Sequence, residues 1–102
     1  MAPNVYTDIT TAEMERLVTQ PNTALVDVRD EWEFDEFNIG GINIPLADIR
    51  NRKHELLGYD ALIVICANGS RSRVAAKDIC RQSEFQNAAV YHLHGGILEA
   101  DE

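Results

Sequence analysis

The sequence predicts one α/β domain, residues 1–102, with a parallel sheet covered by helices on both faces. Three observations carry that expectation. Short apolar runs alternate along the chain with segments of helical periodicity. The run ALIVIC (Ala61 to Cys66) is continuously apolar, as a strand buried on both faces must be. Hydrophobic residues make up 45% of the 102 positions, enough for one real core and no more than one domain.

The elements follow in order. VYTDI (Val5 to Ile9) reads as a short strand. In TTAEMERLV, Thr10 stands three residues before Glu13, the spacing of a capping box. Met14, Leu17 and Val18 then form an apolar helical stripe, broken by QPN at Gln20 to Asn22. ALVDV (Ala24 to Val28) reads as a buried strand. DEWEFDEF (Asp30 to Phe37) reads as a short amphipathic helix with Trp32, Phe34 and Phe37 partly toward the core, stopped by Gly40 and Gly41. INI (Ile42 to Ile44) is a short strand ended by Pro45. Asp48 to Leu57 is expected to be helical, with Gly58 as its C-cap. ALIVIC is the candidate central strand. Arg71 to Gln82 is a helix burying Ala75, Ala76, Ile79 and Cys80, and AAVYHL (Ala88 to Leu93) is the last strand. HGGILEADE closes with a turn and one helical turn.

The formal net charge of −8 argues against nucleic acid and anionic membranes as partners, since both require cationic neutralisation of phosphates. The charge is uneven: DEWEFDEF carries five acids, while Arg71, Arg73, Lys77 and Arg81 crowd the eleven positions from 71 to 81. Each cluster reads first as a solvated helix face. No signal-peptide pattern and no long apolar span is visible, and two cysteines with thirteen residues between them do not make a secreted framework. A cytoplasmic location is expected. Cys80 lies roughly 13 Å along a helix from Arg71, at about 1.5 Å per residue. A disulfide needs Cα atoms within about 7 Å, so Cys66 and Cys80 are expected to stay unpaired.

Chemistry concentrates in CANGSRS, Cys66 to Ser72. In parallel sheets ligands bind beyond the carboxyl ends of the strands, and Cys66 is predicted at such an end. Gly69 permits a positive φ, small neighbours let amides converge, and the following helix adds partial positive charge. Arg71 adds a full one. A thiol there should ionise more readily than a free one, and the thiolate is the nucleophile. No general base, cofactor or metal-ligand spacing is called for. The plain alternative is an inert, buried strand cysteine. A cysteine-and-arginine anion cradle also fits a tyrosine-phosphatase-like or arsenate-reductase-like enzyme. Those phosphatases place five residues between nucleophile and arginine, and here that position is Ser72, with the arginines at 71 and 73. The shorter loop suits a smaller reacting centre such as sulfur. His92 and His94 read first as surface or hydrogen-bonded histidines. The Gly95–Gly96 turn should share the edge that holds Cys66, which makes His94 a candidate for the pocket mouth. Trp32 reads as packing.

Three stretches in order, ALVDVRDEWEFDEFNIGGINIP, IVICANGSRS and VYHLHGGI, resemble the single-domain rhodanese-like sulfurtransferase family. The resemblance implies a five-stranded parallel sheet flanked by helices. It implies that Cys66 takes a sulfane sulfur from a small anionic donor such as thiosulfate and passes it to a thiophilic acceptor. Cyanide is the test-tube acceptor, and a small thiol or a thiol or dithiol protein the cellular one. It implies that Ala67, Asn68, Gly69, Ser70, Arg71 and Ser72 cradle the persulfide, with Arg71 orienting the donor. Asp27 and Arg29 match the family's Asp-Val-Arg and imply supporting hydrogen bonds or an ion pair. Two departures stand out. Asn38 replaces the family's usual histidine and Gly40 its proline. The stretch after Gly96 carries no tryptophan, so one pocket wall is expected to be open or supplied by a neighbouring subunit. A sulfur-relay or binding module acting with a partner is the alternative function.

Overall fold

The computed structural model describes residues 4–99. Five parallel strands form one sheet in the order β1-β5-β4-β2-β3. They are β1 (Tyr6–Ile9), β2 (Thr23–Asp27), β3 (Ile42–Asn43), β4 (Ala61–Ile65) and β5 (Ala89–Leu93). The helices are α1 (Thr11–Leu17), α2 (Glu31–Glu36), α3 (Ser70–Arg81) and α4 (Gly96–Glu99). The α/β architecture and the five-stranded parallel sheet are those the sequence implies.

Strand alternation divides the core. In β4, Leu62 and Val64 face one layer, together with Ala75, Ala76, Ile79 and Cys80 of α3. Ile63 and Ile65 face the other, together with Met14 of α1 and Ile97 of α4. All four β4 side chains are fully covered, which is why the run shows no polar alternation. Burying each is worth about 1.5–3 kcal/mol, so β4 anchors both layers. Cys66 follows β4 with the parity of Leu62 and Val64, and packs in the α3 layer.

The capping box of α1 is present: Thr10 accepts from the Glu13 amide while Glu13 accepts from the Thr10 amide. Two expectations need correction. Asp48 to Leu57 is not one helix but two short 3-10 turns, Leu46–Asp48 and Lys53–Glu55. Only Ile49 and Leu56 of that stretch are buried, too few to anchor a continuous amphipathic face. Trp32 and Phe37 do not turn to the core. They are 62% and 49% exposed, in and just after a six-residue helix that has no buried residue. Ala100 to Glu102, the end of the predicted closing segment, lie outside the described residues. Among those described, no helix is long and apolar enough to cross a membrane.

Candidate active site

The loops after β2, β4 and β5 meet at the carboxyl ends of the three inner strands, where an α/β sheet places its ligands. The Val28 amide donates to the Ile65 carbonyl, and the amides of Ile97 and Leu98 donate to the carbonyls of Cys66 and Ala67. Gly95 and Gly96 thereby press against the cysteine loop. A Cβ at Gly96 would sit 2.3 Å from the Ala67 carbonyl oxygen, so only glycine fits. Gly69 takes the left-handed conformation (φ 93°) and opens α3 as its N-cap. Asn68 Oδ1 accepts from both the amide and the hydroxyl of Ser70, capping the first turn from the side.

This fold aims two backbone donors at the thiol. The Gly69 amide lies 3.1 Å and the Ser72 amide 3.3 Å from Cys66 Sγ. Both belong to the N-terminal turn of α3, whose partial positive charge points the same way. The amides of Ala67, Asn68 and Arg71 have no acceptor among the described residues. Cys66 itself is fully covered. Cys66 and Cys80 are both free thiols. Among the described residues no cluster of His, Cys, Asp and Glu is arranged to hold a metal.

Arg71 is not a free cation. Its Nη1 and Nη2 donate to Glu33 Oε2 and Oε1 at 2.7 and 3.0 Å. That fork holds the Glu33 carboxyl down at about 2, well below its usual 4.5, and raises the Arg71 guanidinium in turn. Sequence reasoning missed Glu33, thirty-eight residues from its partner. The one available cue was its place as third residue of α2, closing a capping box with Asp30. The basic cluster also divides. Arg71 faces the site, while Lys77 and Arg81 line a hollow with Cys80, Asn4, Val5 and Tyr6.

Asp27 and Arg29 form a buried, forked pair at 2.8–3.1 Å. Arg29 Nη2 also donates to the Phe37 carbonyl, tying the end of α2 to β2. Asn38 is exposed, with its side chain bonded to the Phe34 carbonyl and the Gly40 amide. His94 is exposed and makes no side-chain hydrogen bond to the loop among the described residues, whereas His92 is fully buried.

A model of the rhodanese-like domain matches residues 10–101. The chain belongs to that family. Rhodanese-like domains form a sulfurtransferase superfamily. Among curated relatives is a Bacillus subtilis (strain 168) protein, YrkF, named as a candidate sulfur carrier protein. It is 36% identical over 59 residues, which are 57% of this chain and 32% of YrkF. The chain spans between 32% and 56% of the length of the curated relatives it matches. A solved rhodanese-related protein from Thermoplasma volcanium is 29% identical, with a TM-score of 0.66 over 89% of this chain and 86% of that one. Ygr203w, described as a yeast protein tyrosine phosphatase of the rhodanese family, is 18% identical with a TM-score of 0.71. It covers 95% of this chain and 85% of its own, and shares the fold alone.

Proposed function

We propose that the protein is a sulfurtransferase that carries one sulfane sulfur on Cys66. The observation that carries this reading is the pair of amides, from Gly69 and Ser72, directed at Cys66 Sγ. Fixed donors at a sulfur favour its anionic form and cost no reorganisation when charge develops there. In the first half-reaction the Cys66 thiolate attacks the outer sulfur of thiosulfate. The new S–S bond forms as the old one breaks, and sulfite leaves with the electron pair. In the second, an acceptor attacks the outer persulfide sulfur and Cys66 departs as thiolate. With cyanide the product is thiocyanate; with a thiol it is a new persulfide. The acceptorless amides of Ala67, Asn68 and Arg71 are available to the terminal sulfur, completing a cradle from Ala67 to Ser72. The Asp27–Arg29 pair supports this reading as scaffold for α2 and hence for Glu33. His94, exposed beside the Gly-Gly turn, is given no part in the transfer step. The single-domain reading of residues 1–102, a cytoplasmic location and a small anionic donor belong to the same proposal.

A second reading is a relay that hands sulfur to a protein thiol. It is favoured by the named sulfur-carrier relative and by the Glu33 fork, which takes up the charge Arg71 would otherwise offer a thiosulfate dianion. The deciding experiment is steady-state thiosulfate:cyanide transfer by wild type and Cys66→Ala, with an aryl phosphate as control. Thiocyanate release by wild type alone is expected. Phosphate release that depends on Cys66 would overturn the sulfurtransferase reading in favour of a phosphatase.

A further inference from the structure

His92 is a buried ionisable side chain for which the proposed reaction has no use. Its ring is fully covered, and both nitrogens are engaged. Nε2 lies 3.0 Å from the Gly69 carbonyl oxygen, and Nδ1 lies 2.8 Å from Asp8 Oδ1. A carbonyl can only accept, so Nε2 carries a hydrogen and donates it. Nδ1 faces the Asp8 carboxyl within hydrogen-bond distance. Asp8 on β1 stands directly opposite His92 on β5, and Tyr6 packs its ring edge-on against the imidazole at 5.6 Å. The ring is therefore held in place from the neighbouring strand.

What it holds is the residue that forms the thiol pocket. The Gly69 carbonyl also accepts from the Arg73 amide at 3.1 Å and the Ser72 hydroxyl at 3.3 Å. The peptide that follows is pinned on its other side by Asn68 Oδ1, through the Ser70 amide. Gly69 is thus fixed in its left-handed conformation, the one that directs its own amide at Cys66 Sγ.

We propose that His92, braced by Asp8, is a positioning residue for Cys66, acting through the Gly69 carbonyl to hold the Gly69 amide on the sulfur. The inference rests on Cys66 being the reacting thiol.

The test is the rate of iodoacetamide alkylation at Cys66, resolved by peptide mass at one fixed pH, in wild type, His92→Leu, His92→Gln and Asp8→Ala. The Gly69 amide resonance is followed in 15N-labelled protein. His92→Leu is expected to slow alkylation roughly tenfold, as the loss of one buried hydrogen bond would, and to move the Gly69 resonance. Glutamine, whose amide can donate to the same carbonyl, is expected to recover the rate to within about threefold. Asp8→Ala should fall between. Equal rates for the leucine and glutamine variants, faster alkylation in His92→Leu, or an unmoved Gly69 resonance would overturn the proposal. If His92→Leu does not fold, Asp8→Ala decides, because the Asp8 side chain is 53% exposed at the sheet edge. An unchanged rate there overturns the proposal too. Alkylation needs no sulfur donor. A wild type that alkylates in this pattern yet takes up no sulfur would sink the sulfurtransferase reading and leave the positioning role standing.

Discussion

Cys66 and Cys80 pack in the same core layer, both buried and both free, yet their surroundings are opposites. Cys80 sits inside α3, where burial pushes its thiol up and disfavours the thiolate. No hydrogen bond reaches its sulfur among the described residues. Cys66 sits one residue past a strand end, beneath two amides that point at its sulfur. Burial is common to both, so burial does not distinguish the proposed nucleophile from Cys80. The difference lies in the backbone, where a left-handed glycine and a helix start turn N–H groups inward at Cys66. Within a helix every amide near Cys80 is already spent on the ladder.

The comparison breaks most directly if the loop is pushed off its seat. Gly96→Ala should do so: its Cβ would meet the Ala67 carbonyl at 2.3 Å from a left-handed backbone (φ 77°). Overpacking and backbone strain together cost about 2–4 kcal/mol, and sulfur transfer should fall by roughly tenfold or more as the amides shift. Thermal unfolding alongside turnover checks both. An alanine variant with full activity would mean the Gly-Gly turn does not hold the loop.

A smaller effect sharpens the role of Glu33. Its carboxyl is lowered to about 2 in the folded protein against an ordinary 4.5. The pair's contribution is therefore fully present above pH 4.5 and is lost as pH falls toward about 2. Because both side chains are part exposed, that contribution is at most about 1 kcal/mol. Glu33→Gln should lower the melting temperature by at most about 5 °C at neutral pH and converge with wild type at the acid end. A constant difference from pH 6 down to 2 would contradict the pairing.

Much of this contrast was legible in the residues. The Thr10–Glu13 cap, the apolar β4 run, and the Cys-Gly-Arg loop before a helix are local patterns, and local patterns show in a sequence. Asp27 and Arg29 are legible through the family's Asp-Val-Arg motif, which implies an ion pair or hydrogen bonds between them and their surroundings. Glu33 with Arg71 and His92 with Gly69 could not. Their partners lie thirty-eight and twenty-three residues away and meet only because β2, β4 and β5 end side by side. The stretch Asp48 to Leu57 misled because its charges suit a helix surface, while two buried anchors, Ile49 and Leu56, settle for turns. Trp32 misled because aromatic residues usually pack, and α2 has nothing to pack against at its outer face.

The contrast between the two cysteines implies that aimed amides, and not burial, select the working thiol. The direct test is to treat wild-type protein with thiosulfate, record the intact mass, and map the added sulfur by peptide. One sulfur on Cys66, none on Cys80, and complete discharge by cyanide are expected. Sulfur on Cys80, or on neither cysteine with Cys66 intact and reduced, would contradict that selection.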